Sequence, residues 1–253
     1  MSGALTAGVW GLVGGSALVL GAGIAWFVAL PQRLIAEVMA VGSGVLISAV
    51  AFDLMDEAYA RGGFDSTALG FLAGAAVYTL ANVLLSRRGA RHRKRSGTNP
   101  GASQQSADTG SGLALAVGAL LDGIPESVVI GTSLLGGTGV SLVTVIAVFL
   151  SNVPEGLSSA AGMKRAGRSA AYVFGVWGGI ALASGLASLF GYSMLAGVSP
   201  DVLAAVTAVA AGAILAMLVD TMIPEATEAS HDYSGLIAVI GFLAAFVLTK
   251  LGG

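Results

Sequence analysis

Hydrophobic residues run along this chain in long blocks, separated by short polar connections. A bilayer crossing takes about 20 mostly apolar residues, and that template fits eight stretches, roughly 4–30, 34–58, 67–86, 111–135, 138–163, 169–193, 201–226 and 233–251. The pattern predicts an all-α polytopic membrane protein with eight transmembrane helices in a single transmembrane domain over residues 1–253. The first stretch has no Lys or Arg before Arg33 and exceeds the core of a signal peptide, so it is expected to remain in the mature chain. Residues 87–109 form the one long polar connection, rich in basic residues with Gly, Ser, Asn and Gln, and read as a flexible loop.

Composition supports the membrane reading. Only 10% of residues are charged and mean hydropathy is +0.86, whereas about a quarter of residues in a soluble domain are charged. Most of the 38 glycines are spread through apolar stretches, which suits closely packed membrane helices. The absence of cysteine excludes disulfides, thiolate metal sites and a cysteine nucleophile.

Net charge is −2, but the signs are segregated: Arg87, Arg88, Arg91, Arg93, Lys94 and Arg95 fall within nine residues. Between two apolar segments such a run is a topology signal rather than a nucleic-acid site. With that loop in the cytoplasm, Arg33, the six of the run, and Lys164, Arg165 and Arg168 are all inside, ten of the twelve basic residues; Arg61 and Lys250 stay outside. Both termini are then extracytoplasmic, as expected for a bacterial-type plasma membrane protein.

Several acids fall where a bilayer would be. Asp122 and Glu126 sit in the middle of the fourth stretch at a spacing that puts both carboxylates on one helix face. Asn152 and Glu155 occupy the middle of the fifth. The two segments share a pattern, DGIPES and SNVPEG. Pro125 and Pro154 lack an amide hydrogen, so the carbonyls of Leu121 and Leu150 lose their helical partner and become available to a cation or a water. Facing each other, the two helices would present Asp122, Glu126, Asn152 and Glu155 as an oxygen-rich cage. The bland alternative is that the prolines only bend helices and the acids pair with cationic side chains; no Lys, Arg or His lies in the interior of any predicted span to do so.

The second stretch carries Asp53, Asp56 and Glu57, and the seventh carries Asp220, Glu225, Glu228, His231 and Asp232. On the derived topology one group marks an outer entrance and the other an inner exit. Asp56, Glu57, Glu228 and Asp232 read equally well as solvated helix ends; Asp53 and Asp220 sit deeper. His231 is a surface residue or a release ligand, and His92 belongs to the basic loop.

These residues resemble the Zrt/Irt-like (ZIP) divalent metal transporters. The paired Pro-Glu motifs, GAILAMLVDTMIPEA in the seventh stretch and the related AFDLMDEA in the second carry the likeness. It implies a 3+2+3 arrangement in which the first three and last three helices are inverted repeats around the fourth and fifth. It also implies that Glu126, Asn152 and Glu155 are metal ligands, with Asp122 standing where the family usually has His. Two departures narrow the expectation. Residues 169–193 contain no acid, against the family's second metal, and the cage has no nitrogen ligand. An all-oxygen site suits Mn²⁺, Fe²⁺ or Mg²⁺, while zinc also accepts carboxylates.

The resemblance thus implies a secondary transporter carrying a divalent cation of the Zn, Fe or Mn class inward as substrate, with no prosthetic group. Asp53 would attract the ion outside, the central residues would bind it, and Asp220 with Glu225 would receive it. Two other readings stay open: the same fold moving protons or a monovalent cation, or a non-transporting metal sensor or scaffold. An enzyme is not expected, because Ser127, Ser151, Ser158 and Ser159 have no histidine within the spans to activate them. A homodimer is the default expectation for assembly.

Overall fold

A computed structural model describes residues 2–97, 103–104, 112–136, 141–228 and 232–252. Every regular element among them is helical: α1 (Gly3–Phe27), α2 (Gln32–Ala49), α3 (Met55–Leu85), α4 (Gly112–Ser133), α5 (Leu142–Arg165), α6 (Ala170–Leu195), α7 (Pro200–Met217), α8 (Ile223–Glu228) and α9 (Ser234–Gly252). Short polar residues punctuate the apolar runs. Ser2, Ser141, Ser169 and Ser199 each cap a helix by accepting a hydrogen bond from the backbone N–H three residues on. The turns after α5 and α6 repeat one solution, Ala-Gly-X-Ser, at 166–169 and 196–199.

Among the described residues, seven helices are long and apolar enough to cross a membrane. One of them, Gln32–Ala90, runs for 59 residues, and if straight would measure about 88 Å, far beyond the ~30 Å apolar thickness of a bilayer. It does not run straight. Gly63 has φ 68° and ψ −169°, a conformation that interrupts the helix and that a side chain would resist. Gly42 on one side of the break packs against Pro154, and Tyr78 on the other reaches Asp122 at 2.7 Å, so both arms arrive at the same α4–α5 region. The second and third predicted stretches are therefore two helical arms that meet at Gly63.

Single five-residue wide turns of π-helix occur at Val50–Leu54, joining α2 to α3, and at Leu218–Met222, joining α7 to α8. The first holds Asp53 and the second Asp220. Wide turns of this kind leave a backbone group out of the regular ladder and often accompany functional side chains.

The principal packing pairs are α1 with α5 and α6, α2 with α5 and α9, α3 with α7, and α4 with α6 and α7. Two of these crossings are closed by glycines facing opposite ways. A Cβ on Gly74 of α3 would run into the Val209 carbonyl of α7, and one on Gly212 of α7 into the Phe71 carbonyl of α3. Gly44 of α2 and Gly241 of α9 make the same reciprocal contact with Ala238 and Val41. Without side chains at these points the backbones approach closely, which is how helices gain contact where apolar burial provides no drive. Gly212→Val is expected to cost about 1–3 kcal/mol through overpacking. A lowered melting temperature in detergent would show it, and an unchanged one would contradict the close crossing.

The two largest apolar cores among the described residues lie inside the bundle. Met39, Leu46, Val50, Tyr78, Ile214, Met217 and Leu218 make one, while Leu18, Ile35, Leu157, Met163, Trp177 and Ile180 make the other. Large apolar residues such as Leu69, Leu72, Leu182 and Leu236 face outward, each more than 60% exposed, as on a surface that meets lipid.

Candidate functional site

Asp122, Glu126 and Glu155 are all buried between the cores, at 0%, 1% and 3% exposure. Asp122 and Glu126 come from consecutive turns of α4 around Pro125, and Glu155 follows Pro154 in α5. Glu126 and Glu155 lie within electrostatic reach of one another. Three carboxyls of the expected four-residue cage thus lie buried on the two proline-bearing helices.

Their surroundings differ from the expectation. The sequence offers no base in the interior of a predicted span, yet Arg93 and Lys94 of the basic run are 1% and 2% exposed and meet the acids directly. Arg93 forks onto Asp122, with Nε 2.8 Å from Oδ2 and a terminal nitrogen 2.7 Å from Oδ1; the Tyr78 hydroxyl donates to the same Oδ1 at 2.7 Å. Lys94 Nζ lies 3.3 Å from Asp122 and 2.9 Å from Glu155. Glu126 is left over, with neither carboxyl oxygen hydrogen bonded. A buried carboxyl without a partner costs several kcal/mol.

The described part of the loop, up to Gly97, is built into the bundle rather than hanging free in solvent. Beyond α3 a wide turn at Ser86–Ala90 contains Gly89 with φ 108°, and a tight turn over 91–94 follows. Arg93 extends its contacts to Asn82, whose amide in turn donates to Asp220 at 3.0 Å. Ser159 donates to the Arg93 carbonyl at 2.6 Å and Ser158 to the Lys94 carbonyl at 2.8 Å; Gln104 also donates to the Arg93 carbonyl. Ser127 and Ser151 turn back onto carbonyls of their own helices, of Gly123 and Val148.

Glu225, expected at the inner exit, is fully buried and accepts from the Ser96 backbone and hydroxyl, from Ser158 and from Gln32. Arg95 completes this contact through Glu228 at 2.8 Å and the Pro224 carbonyl at 3.0 Å. Asp220 borders a cavity of about 320 Å³ that also touches Arg91, His92 and Lys94. Asn152, by contrast, donates its amide to the Gly14 carbonyl of α1 at 3.1 Å. Asp53 lies apart from the central group, against Thr249 and Lys250 at the end of α9, and Glu57 pairs with Arg61 at 2.6 Å. His231 lies outside the described residues.

In this arrangement no three His, Asp or Glu side chains among the described residues are grouped as a metal site. Arg93 and Lys94 of the chain itself pair with Asp122 and Glu155 instead. The spacing of acids in α4 and α5 revealed the carboxyls; it carried no sign of which bases would reach them. One signal was present, because Arg93 is the eighth residue after α3 ends and thus a short distance from the bundle. No protein-family model matches the chain, and no curated protein is significantly similar to it.

Proposed function

We propose that this chain is a ZIP-like secondary transporter that moves a divalent cation of the Zn, Fe or Mn class into the cytoplasm through the buried carboxyls of α4 and α5. The observation that carries this reading is Glu126: a carboxyl at 1% exposure with both oxygens unpaired, beside Glu155, on helices whose prolines free backbone carbonyls. Such a group is costly to keep unless something binds it. Because Arg93 and Tyr78 already engage Asp122, the pair Glu126 and Glu155 supplies the two negative charges that match one divalent ion.

The architecture supports the same reading. Counting the two arms of the Gln32–Ala90 run separately makes eight crossings. Exchanging first for sixth, second for seventh, third for eighth and fourth for fifth maps the packing pairs onto one another: α2 with α9 becomes α7 with α3, and α1 with α5 becomes α6 with α4. Asp53 and Asp220, Met55 and Met222, and Gly74 and Gly241 are each 167 positions apart. Two inverted triplets around a central pair have this relation, and a midplane site between repeats is a general plan of secondary transporters. The bilayer would be a bacterial-type inner membrane with both termini extracytoplasmic, following the basic residues.

A second reading has its own observation. The ion pairs of Arg93 and Lys94 would equally suit a protein that senses metal, or a fold whose site moves a proton or monovalent cation. Uptake separates them. Proteoliposomes containing the chain are expected to load Mn²⁺, Fe²⁺ or Zn²⁺ faster than protein-free vesicles; equal rates for all three would overturn transport.

A further inference from the structure

We propose that Lys94 is a tethered competitor for the cation site: its ammonium occupies the place beside Glu126 and Glu155 that the transported divalent cation takes when the 90–96 segment withdraws. This rests on the reading of Glu126 and Glu155 as the cation site. It goes beyond that reading by assigning the basic segment a role as a plug, and by separating Asp122 from the exchangeable ligands.

The segment is received by a shaped seat. Gly162 of α5 lies against it, and a Cβ there would run into the Arg95 carbonyl oxygen; a Cβ on Gly118 of α4 would stand 2.8 Å from Arg93 Cδ. Ser158, Ser159 and Gln104 satisfy the carbonyls of Arg93 and Lys94, and Glu225 accepts the Ser96 backbone N–H at 3.1 Å. These contacts hold the backbone independently of the lysine side chain. Within the site the two cations do different work. Arg93 is fixed by two hydrogen bonds to Asp122 and one to Asn82. Lys94 has single contacts to two carboxyls, at 2.9 Å to Glu155 and 3.3 Å to Asp122, with no forked pairing like that of Arg93. It is the weaker hold and the one a doubly charged ion can displace.

Glu126 points to what the displacing ion is. One ammonium cannot serve both glutamates, and Glu126 goes without; a single divalent ion between Glu126 and Glu155 would engage both. The cavity of about 320 Å³ beside Lys94 and Asp220 gives the displaced side chain somewhere to go, with the Asp220 carboxylate at its edge. A site closed in most molecules binds more weakly in proportion to its open fraction, so loosening the plug must strengthen binding.

The test is a titration of the detergent-purified full chain with Mn²⁺ by calorimetry. Lys94→Ala and, separately, Gly162→Val, which touches neither a carboxyl nor the lysine, are each expected to bind Mn²⁺ about tenfold more tightly than wild type, as when nine in ten sites start closed. Since the chain has no cysteine, Ser96→Cys can report on the segment of an otherwise unaltered protein: its slow labelling by a maleimide is expected to accelerate when Mn²⁺ is added. Measurable but equal Mn²⁺ affinity in wild type, Lys94→Ala and Gly162→Val, with labelling indifferent to Mn²⁺, overturns the plug and leaves the site standing. No binding by any of the three overturns the site and the plug together.

Discussion

Vesicles carrying the Glu126→Gln, Glu155→Gln double variant are expected to take up divalent cations no faster than protein-free vesicles. Glutamine keeps the shape of each side chain and removes the charge, so the change tests attraction rather than packing. At about 4 Å in partly polar protein, one unit charge acting on another is worth several kcal/mol, and 1.4 kcal/mol is tenfold in affinity. Each substitution alone should therefore weaken binding by roughly 100-fold. The single Glu126→Gln variant is the cleaner probe, because neither oxygen of Glu126 makes a hydrogen bond that the change would break. Its melting temperature is expected to equal or exceed that of wild type while uptake falls. Uptake surviving in the double variant would remove the central carboxyls from the mechanism.

Asp122→Asn is expected to act mainly on stability. The side chain is completely buried and answers Arg93, itself at 1% exposure, with both oxygens. Neutralising it leaves a buried guanidinium without its counter-charge, which costs about 3–5 kcal/mol. For a chain of this length that is a fall in melting temperature of roughly 10 °C. The double change Asp122→Leu, Arg93→Met removes both charges together, and is expected to recover most of the loss, since a buried pair replaced by apolar groups of similar volume is often neutral. If Asp122→Asn melts like wild type but loses Mn²⁺ binding, Asp122 is a ligand and not the anchor of Arg93.

The sequence rendered some of this site plainly. Pro125 with Glu126, and Pro154 with Glu155, could be read because a helix repeats every few residues and short-range spacing fixes the face a side chain occupies. The same reasoning placed Asp122 beside Glu126. It misjudged the company they keep. Lys94 meets Asp122 from 28 positions away and Glu155 from 61, and at such separations neither periodicity nor local composition says what touches what. Asn152 has a partner that spacing did not reveal: its amide nitrogen donates to the Gly14 carbonyl where α1 packs on α5. The third stretch, predicted apart from the second, is joined to it through a single non-helical residue, Gly63, whose dihedral angles no hydropathy pattern records.

What the sequence determined by itself is the all-helical character and the membrane-compatible length of the apolar runs, because a backbone in lipid must satisfy its own hydrogen bonds within each segment. It also determined that carboxyls would be forced indoors on α4 and α5. Tertiary structure alone decided how those carboxyls are answered. Charge is a long-range property settled by which segments fold against one another; here the Gly89 turn and the seats at Gly118 and Gly162 bring two bases of an apparent surface loop into the center of the bundle. Residues whose count in the sequence predicts a cytoplasmic face thereby become, in three dimensions, partners of the buried carboxyls.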